Sequence, residues 1–388
     1  MIGVVAYDER LSGGVYQYTV SLLDALRHDD TSKYVVITQD RNTQFDESGF
    51  AVRKLAPPTG PGNKIGNAFL LLLRLRIPLF LAKREQRLLE DIELFITPTM
   101  STYPCFLFPR PFIVTLHDFQ ERYYPQFFSR RERLRRWLNA RALAGAASVI
   151  ITESRFVKGD VVNFLGVPED RVAVLPAPPP AHFLDRCVGE AELEEVKRRY
   201  ALPDSFLLYP AHIWLHKNHG ALLRAVRILH RRHPDLHLVL TGAERSGYLL
   251  LRSLIEELEL ERHVHHLGYI DYTDLPAVYR LSQMLVMPSL FESISIPVYE
   301  AFSLRVPVAC SNVVALPEQV QDGGLLFDPN DPADMASQID RILCDHALRE
   351  RLSSRGHELV TAFDHRNYMV RLRGLIEKAS LVGRRKHP

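Results

Sequence analysis

Short, unbroken apolar runs recur from one end of this chain to the other, and stretches with helical spacing separate them. In the first half they are Ile2 to Tyr7, Val35-Val36-Ile37-Thr38, Leu94 to Thr97, Phe112 to Leu116, Ser148 to Thr152 and Val172 to Leu175. In the second half they are Phe206 to Pro210, Leu236 to Leu240, Val264 to Leu267, Met284 to Met287, Val306 to Cys310 and Leu325 to Phe327. Such runs suit strands buried on both faces, and strands alternating with helices predict parallel sheets covered by helices. At 388 residues the chain exceeds one ordinary core, so two domains of this kind are expected. Pro176, Pro178, Pro179 and Pro180 mark the join. The expected division is a domain at 1–180, a second at 181–365, and a terminal segment 366–388 carrying a last helix through Tyr368 to Ser380.

Open parallel sheets bind ligands outside the carboxyl ends of their strands. Pro288-Ser289 ends the run Met284 to Met287, which puts Glu292 at such an end. Pro297 suits a first helical turn with Ser295 or Ile296 at the cap, so Glu300 falls about one turn in. Each glutamate alone also has an ordinary reading, as a helix-dipole partner or a solvated loop acid. Gly13-Gly14 follows the first strand and precedes helical spacing at Val15, Thr19, Leu22, Leu23 and Leu26. That arrangement aims backbone amides at an anion, although two glycines also simply make a tight turn. His117-Asp118 ends another strand, where an imidazole can donate to a sugar hydroxyl or phosphate oxygen. His216-Lys217-Asn218 stands at a helix amino terminus, where a lysine is electrostatically costly unless an anion joins it.

The order of these motifs, from Gly13-Gly14 through Glu292 and Glu300 to Leu316-Pro317-Glu318 and Asp328-Pro329, resembles the retaining family 4 glycosyltransferases, or glycosyl transferases group 1, over nearly the whole chain. The resemblance implies the α/β GT-B fold: two Rossmann-like parallel-sheet domains facing across a cleft, the acceptor side first and the nucleotide-sugar side second, with the last helix crossing back. It implies Glu300 on the ribose of a sugar nucleotide, Lys217 on its diphosphate, and Glu292 with the loop Ser293, Ile294, Ser295 and Ile296 on the sugar. Gly13, Gly14 and His117 would close from the first domain, His117 and Glu292 being the catalytic candidates. Transfer would retain the anomeric configuration, from GDP-mannose to a glycan or lipid-linked acceptor of a cell-surface polysaccharide. An epimerase of sugar nucleotides on the same fold and a nucleotide-sugar-binding protein without turnover are the alternatives.

Two positions depart from the family. Ala211-His212-Ile213-Trp214-Leu215 lacks the arginine that relatives carry shortly before the lysine, and Ser293-Ile294-Ser295 replaces a Gly-Phe-Gly-like loop. His212, His216 and His219 surround Lys217 in sequence, and two readings stay open. At least one of them, His212 foremost, is protonated when the diphosphate binds, or all of them are neutral rings that fill the loop.

With 46% hydrophobic and 24% charged residues and a net charge of +2, the chain reads as an ordinary globular protein with no nucleic-acid signature. Cys105, Cys187, Cys310 and Cys344 show no paired spacing, which fits a reducing compartment, and the amino-terminal run has no leader-like flank, so a cytoplasmic enzyme is expected. His263, His265 and His266 alternate faces and have no carboxylate partner, and no Asp-x-Asp ends a strand, so neither cofactor nor metal is expected. The apolar stretch Phe69 to Leu73 is too short to span a bilayer. The cations around it, Lys64, Arg74, Arg76, Lys83, Arg84 and Arg87, and those of a second helix, Arg130, Arg131, Arg133, Arg135, Arg136 and Arg141, suit peripheral contact with an anionic inner membrane face. They suit a solvated helix face equally.

Overall fold

The computed structural model describes residues 1–6, 13–39, 45–46, 48–56, 83–103, 105, 108–184 and 186–386. The chain forms two compact units, Met1–Pro178 with His365–Pro388, and Pro179–Asp364. The first is built on β1 (Ile2–Val5), β2 (Tyr34–Gln39), β3 (Ala51–Leu55), β4 (Leu94–Thr97), β5 (Phe112–Thr115), β6 (Val149–Thr152) and β7 (Val172–Val174). They lie in the order β3-β2-β1-β4-β5-β6-β7, every pair parallel. The second is built on β8 (Phe206–Pro210), β9 (His237–Thr241), β10 (Val264–His266), β11 (Met284–Met287), β12 (Val308–Ser311) and β13 (Gly324–Phe327). Their order is β10-β9-β8-β11-β12-β13, again all parallel. Every residue of β4, β5, β6, β11 and β12 is buried, as expected of strands with helices on both faces. In each sheet the order reverses once, between β1 and β4 and between β8 and β11. Chain connections leave those neighbours toward opposite faces and open a crevice at their carboxyl ends.

Two elements escape the apolar-run reading. β3 is an edge strand, with Ala51 exposed and with Arg53 and Lys54 reaching Asp91 at 2.5 Å and Asp46 at 2.7 Å. It therefore lacks the two-sided burial that marks its neighbours. The helix His346–Thr361 contains Gly356, whose missing side chain admits the Phe302 ring. A Cβ there would lie 2.3 Å from Phe302 Cδ1, so the glycine sets how closely this helix approaches Ile296–Ser303.

The last helix, His365–Lys386, belongs to the first unit. Tyr368, Met369 and Leu372 are buried, Arg371 Nη2 donates to Val174 O at 2.7 Å, and Arg373 Nη2 reaches Asp29 Oδ1 at 3.0 Å. Among the described residues no helix is long and apolar enough to cross a membrane. The loop 57–64, the run 69–73, Arg74 and Arg76 lie outside the described residues.

Candidate functional site

The strands on either side of the second reversal, β8 and β11, carry the two loops that sequence reasoning singled out. After β8 the chain makes one 3-10 turn, Leu215–Lys217, and enters the helix His219–Leu229 through Asn218, which adopts the left-handed conformation at φ 58. Asparagine tolerates that region, and here its side-chain amide donates to Pro288 O at 3.1 Å and Pro329 O at 2.8 Å. The Tyr209 hydroxyl donates to Lys217 O at 2.9 Å and lies 3.0 Å from Ser289 Oγ, while Leu290 N–H donates to His216 O at 2.9 Å. With its carbonyl held by Tyr209 and both of its neighbours in the chain also bonded, Lys217 places Nζ 2.5 Å from Glu292 Oε1. The two side chains are 20% and 11% exposed, so solvent screens the pair only in part. An anion entering the crevice meets a cation that already has a carboxylate beside it.

Glu300 lies in the helix Ile296–Ser303, whose cap residue Ser295 makes no side-chain cap bond and which carries Pro297 in its first turn. The Glu300 carboxyl is buried, and the Tyr279 hydroxyl donates to Oε2 at 2.6 Å. Burial pushes its pKa up to about 7, and the tyrosine bond only partly opposes that. Ser295 is clamped by Gln319: its N–H donates to Oε1 at 2.8 Å, and Nε2 donates to its carbonyl at 2.7 Å. The Ser295 amide is therefore not open to a sugar, which corrects the expectation for that position. Ser293 and Ile294 stand between Glu292 and this clamp, and Ile296 opens the helix.

In the first unit Gly13 caps the helix Gly14–Leu26 at φ 75, ψ −136, a conformation open to glycine, with no side chain capping the helix amides. His117 leaves the carboxyl end of β5 and is buried. Its Nδ1 lies 2.7 Å from Glu153 Oε2 and its Nε2 2.6 Å from Pro98 O. Both partners only accept, so both ring nitrogens carry hydrogen and the ring is an imidazolium. Burial alone would lower its pKa, but the Glu153 carboxylate outweighs that and, with the Pro98 carbonyl, raises it to about 9. Neither nitrogen remains to act on a sugar hydroxyl or phosphate. This corrects the catalytic role expected of His117, which instead ties the ends of β4, β5 and β6 together under the edge of Tyr18, 5.1 Å away. Because the folded pKa exceeds the ordinary 6.5, the stabilisation is complete below pH 6.5 and lost as pH rises through about 9. His117→Gln is expected to flatten that part of the stability profile in denaturant titrations. An unchanged slope would disprove the ion pair.

Two family models match the chain, "Glycosyltransferase Family 4" over residues 12–178 and "Glycosyl transferases group 1" over residues 192–359. The chain belongs to the group 1, family 4 glycosyltransferases. Among curated proteins it is 32% identical over 227 residues to O-antigen chain mannosyltransferase B of Escherichia coli, covering 57% of this chain and 58% of that one. It is 23% identical over 337 residues to O-antigen chain mannosyltransferase RfbU of Salmonella typhimurium, covering 85% and 87%. The chain thus spans less than two thirds of the length of the first of these relatives. Its fold is that of Anabaena HepE in complex with UDP-glucose, with a TM-score of 0.76, 16% identity, and coverage of 97% of this chain and 99% of that one. That is the GT-B fold.

Two of the three histidines around Lys217 fit the neutral-ring reading. His212 Nδ1 accepts the Ala243 N–H at 2.8 Å, and burial, then Arg245 and Lys217, lower its pKa. His219 is buried against the Tyr209 ring at 4.8 Å, and its pKa falls to about 3, from burial first and Lys217 next. The accepted Ala243 N–H at His212 and the burial of His219 both favour neutral rings. The cation beside His212 is Arg245, over the Trp214 ring at 5.7 Å. It was missed because it follows β9, a different strand. A rule that examines every strand's carboxyl end for cations would have found it. Gly242 makes the approach possible, since a Cβ there would lie 2.8 Å from the Ala211 backbone.

The arginine-rich helix is Arg130–Ala146, capped by Ser129. Arg136 is committed to Glu121 at 2.8 Å and to Asp118, and Arg141 lies over Trp137 at 5.3 Å. Arg122, Arg130 and Arg133 line a surface cavity of about 560 Å³ with Glu121, Leu134 and Trp137.

Proposed function

We propose that this protein transfers a hexose, mannose from GDP-mannose, to a glycan or lipid-linked acceptor during synthesis of a cell-surface polysaccharide, with retention of anomeric configuration. The observation that carries the reading is the Lys217–Glu292 pair at the β8–β11 reversal, in the same unit as the buried Glu300. The O-antigen mannosyltransferase relatives support the sugar and the pathway class. The donor diphosphate draws Lys217 from Glu292, which frees that carboxylate to face the sugar, while Glu300 receives the ribose hydroxyls. The anomeric C–O bond to diphosphate breaks, the acceptor oxygen bonds the anomeric carbon, and its proton passes to the departing diphosphate. A thermal-shift screen of GDP, UDP and ADP with their sugars tests the donor. A ligand at 100 times its Kd adds about 2.7 kcal/mol of apparent stability, and stabilisation by uridine or adenine nucleotides alone would remove the GDP assignment. Incubation with donor alone separates transfer from epimerisation.

Lys217, Arg245 and helix amino termini meet the diphosphate charge here, so turnover is expected to persist in saturating chelator. Loss of activity restored by magnesium or manganese would contradict that. The cavity of Arg122, Arg130 and Arg133, rimmed by the exposed Leu134, suits an anionic lipid surface at the inner membrane face. Arg130→Glu with Arg133→Glu is expected to reduce sedimentation with anionic vesicles, as is high salt. Equal pelleting of variant and parent would retire the membrane contact.

A further inference from the structure

We propose that His233, Asp340 and Cys344 form a site for a thiophilic divalent metal ion, zinc by preference, on the second unit. Their ligand atoms all lie within 4.8 Å of one another. His233 Nε2 is 2.7 Å from Asp340 Oδ1, Cys344 Sγ is 3.5 Å from Asp340 Oδ1, and Cys344 Sγ is 3.9 Å from His233 Nε2. Tetrahedral zinc with Zn–S of about 2.3 Å and Zn–N and Zn–O of about 2.0–2.2 Å requires ligand separations of roughly 3.3–3.6 Å. The sulfur–oxygen edge already fits, and the other two need to change by roughly half an ångström. One nitrogen, one oxygen and one sulfur select zinc or cobalt over magnesium and calcium, which want oxygen alone.

The scaffold brings the three groups together from two elements. Asp340 and Cys344 are four residues apart on the helix Pro332–Cys344 and therefore share a face. His233 follows the helix His219–Leu229, with its N–H donating to Leu229 O at 2.9 Å. The outer oxygen of Asp340, Oδ2, accepts from Arg232 Nη1, which orients Oδ1 toward the other two ligands as a supporting partner of a metal carboxylate does. Arg232 Nη2 also lies 3.9 Å from Cys344 Sγ; burial and then the Asp340 carboxylate raise the thiol's pKa, Arg232 opposing them only in part, so a metal ion must displace the thiol proton as it binds. His233 and Asp340 are 25% and 20% exposed and Cys344 is exposed, so the fourth position opens to solvent and an ion has a way in.

The location suggests what the ion does. Asn218 ties the amino-terminal end of one of these two helices to Pro329, just before the other. The metal cluster ties their far ends, roughly 15–20 Å away by helix rise. A bound ion would staple the pair of helices that carries the Lys217 loop while taking no part in the transfer. Sequence spacing alone did not suggest it, because the ligands stand at 233, 340 and 344.

The test uses the full chain, stripped with chelator and dialysed. One zinc ion per chain is expected by calorimetry, with a rise in Tm, and cobalt is expected to give a thiolate-to-metal charge-transfer band. Cys344→Ser should lose that band and weaken zinc at least about tenfold, Asp340→Asn should weaken it likewise, and Cys187→Ser should behave as the parent. Cys344 is exposed, so its variant is expected to fold, which the zinc-free Tm verifies. Absence of the cobalt band in the parent, or equal zinc binding by parent and Cys344→Ser, would show a plain hydrogen-bonded cluster and overturn the proposal.

Discussion

Glu300→Gln is expected to yield a protein more stable than the parent above about pH 7 that binds its nucleotide sugar more weakly. In the parent the carboxyl pKa rises from 4.5 to about 7, so the folded chain keeps a proton that the unfolded chain loses. Stability therefore falls as pH climbs from 4.5 to about 7, and above that the cost of ionising a buried carboxyl is complete. A shift of this size corresponds to something on the order of 3 kcal/mol. Glutamine cannot ionise, and its side-chain oxygen can still accept the Tyr279 hydroxyl that now bonds Oε2 at 2.6 Å. The variant loses the slope and gains the stability. What it surrenders is the charged acceptor for the ribose hydroxyls, about 1.5–3 kcal/mol, or roughly 10–100-fold in Kd. Denaturant titrations at several pH values and calorimetry with nucleotide measure the two halves separately. An unchanged pH slope would contradict the buried acid, and unchanged affinity would remove the ribose assignment.

Lys217→Met is expected to cost both stability and turnover, by separable routes. Methionine leaves the Glu292 carboxylate, 11% exposed, without its cation. Breaking a fully buried pair costs about 3–5 kcal/mol, and the residual solvent here places the expected loss at roughly 2–3 kcal/mol. Adding Glu292→Gln removes the stranded charge, so the double variant should regain most of that stability. It should regain none of the activity, because the cation that meets the diphosphate is still missing. A double-mutant cycle on unfolding free energy, with parallel turnover assays, reads the coupling directly. A double variant that recovered activity with stability would make the pair a structural clasp and nothing more.

Much of the fold was legible before any coordinates. The apolar runs at Leu94, Phe112, Met284 and Val306 fall on strands because two-sided burial leaves no polar face, and Pro297 opens its helix as its missing amide hydrogen predicts. β3 was illegible for the same reason in reverse, since an edge strand with Arg53 and Lys54 carries no such signature. The site residues were found as types but not as partners. Lys217, Glu292 and Glu300 were named from their loops, whereas Tyr279, Gln319, Glu153 and Arg245 came to light only as the groups that hold or charge them.

His117 shows where that boundary lies. Its position at a strand's carboxyl end follows from local pattern, and so does its nearness to a crevice. Its state does not, because both ring nitrogens are claimed by Pro98 and Glu153, 19 and 36 residues away in sequence. The sequence by itself determined the alternation of strands and helices, the number of sheets, and which loops could carry chemistry, since burial and helical periodicity are properties of neighbouring residues. Only the tertiary structure decided which strands lie side by side at each reversal. That order in turn sets which charge faces which, and so whether a histidine is a neutral ring or a buried cation and whether a glutamate holds its proton near pH 7.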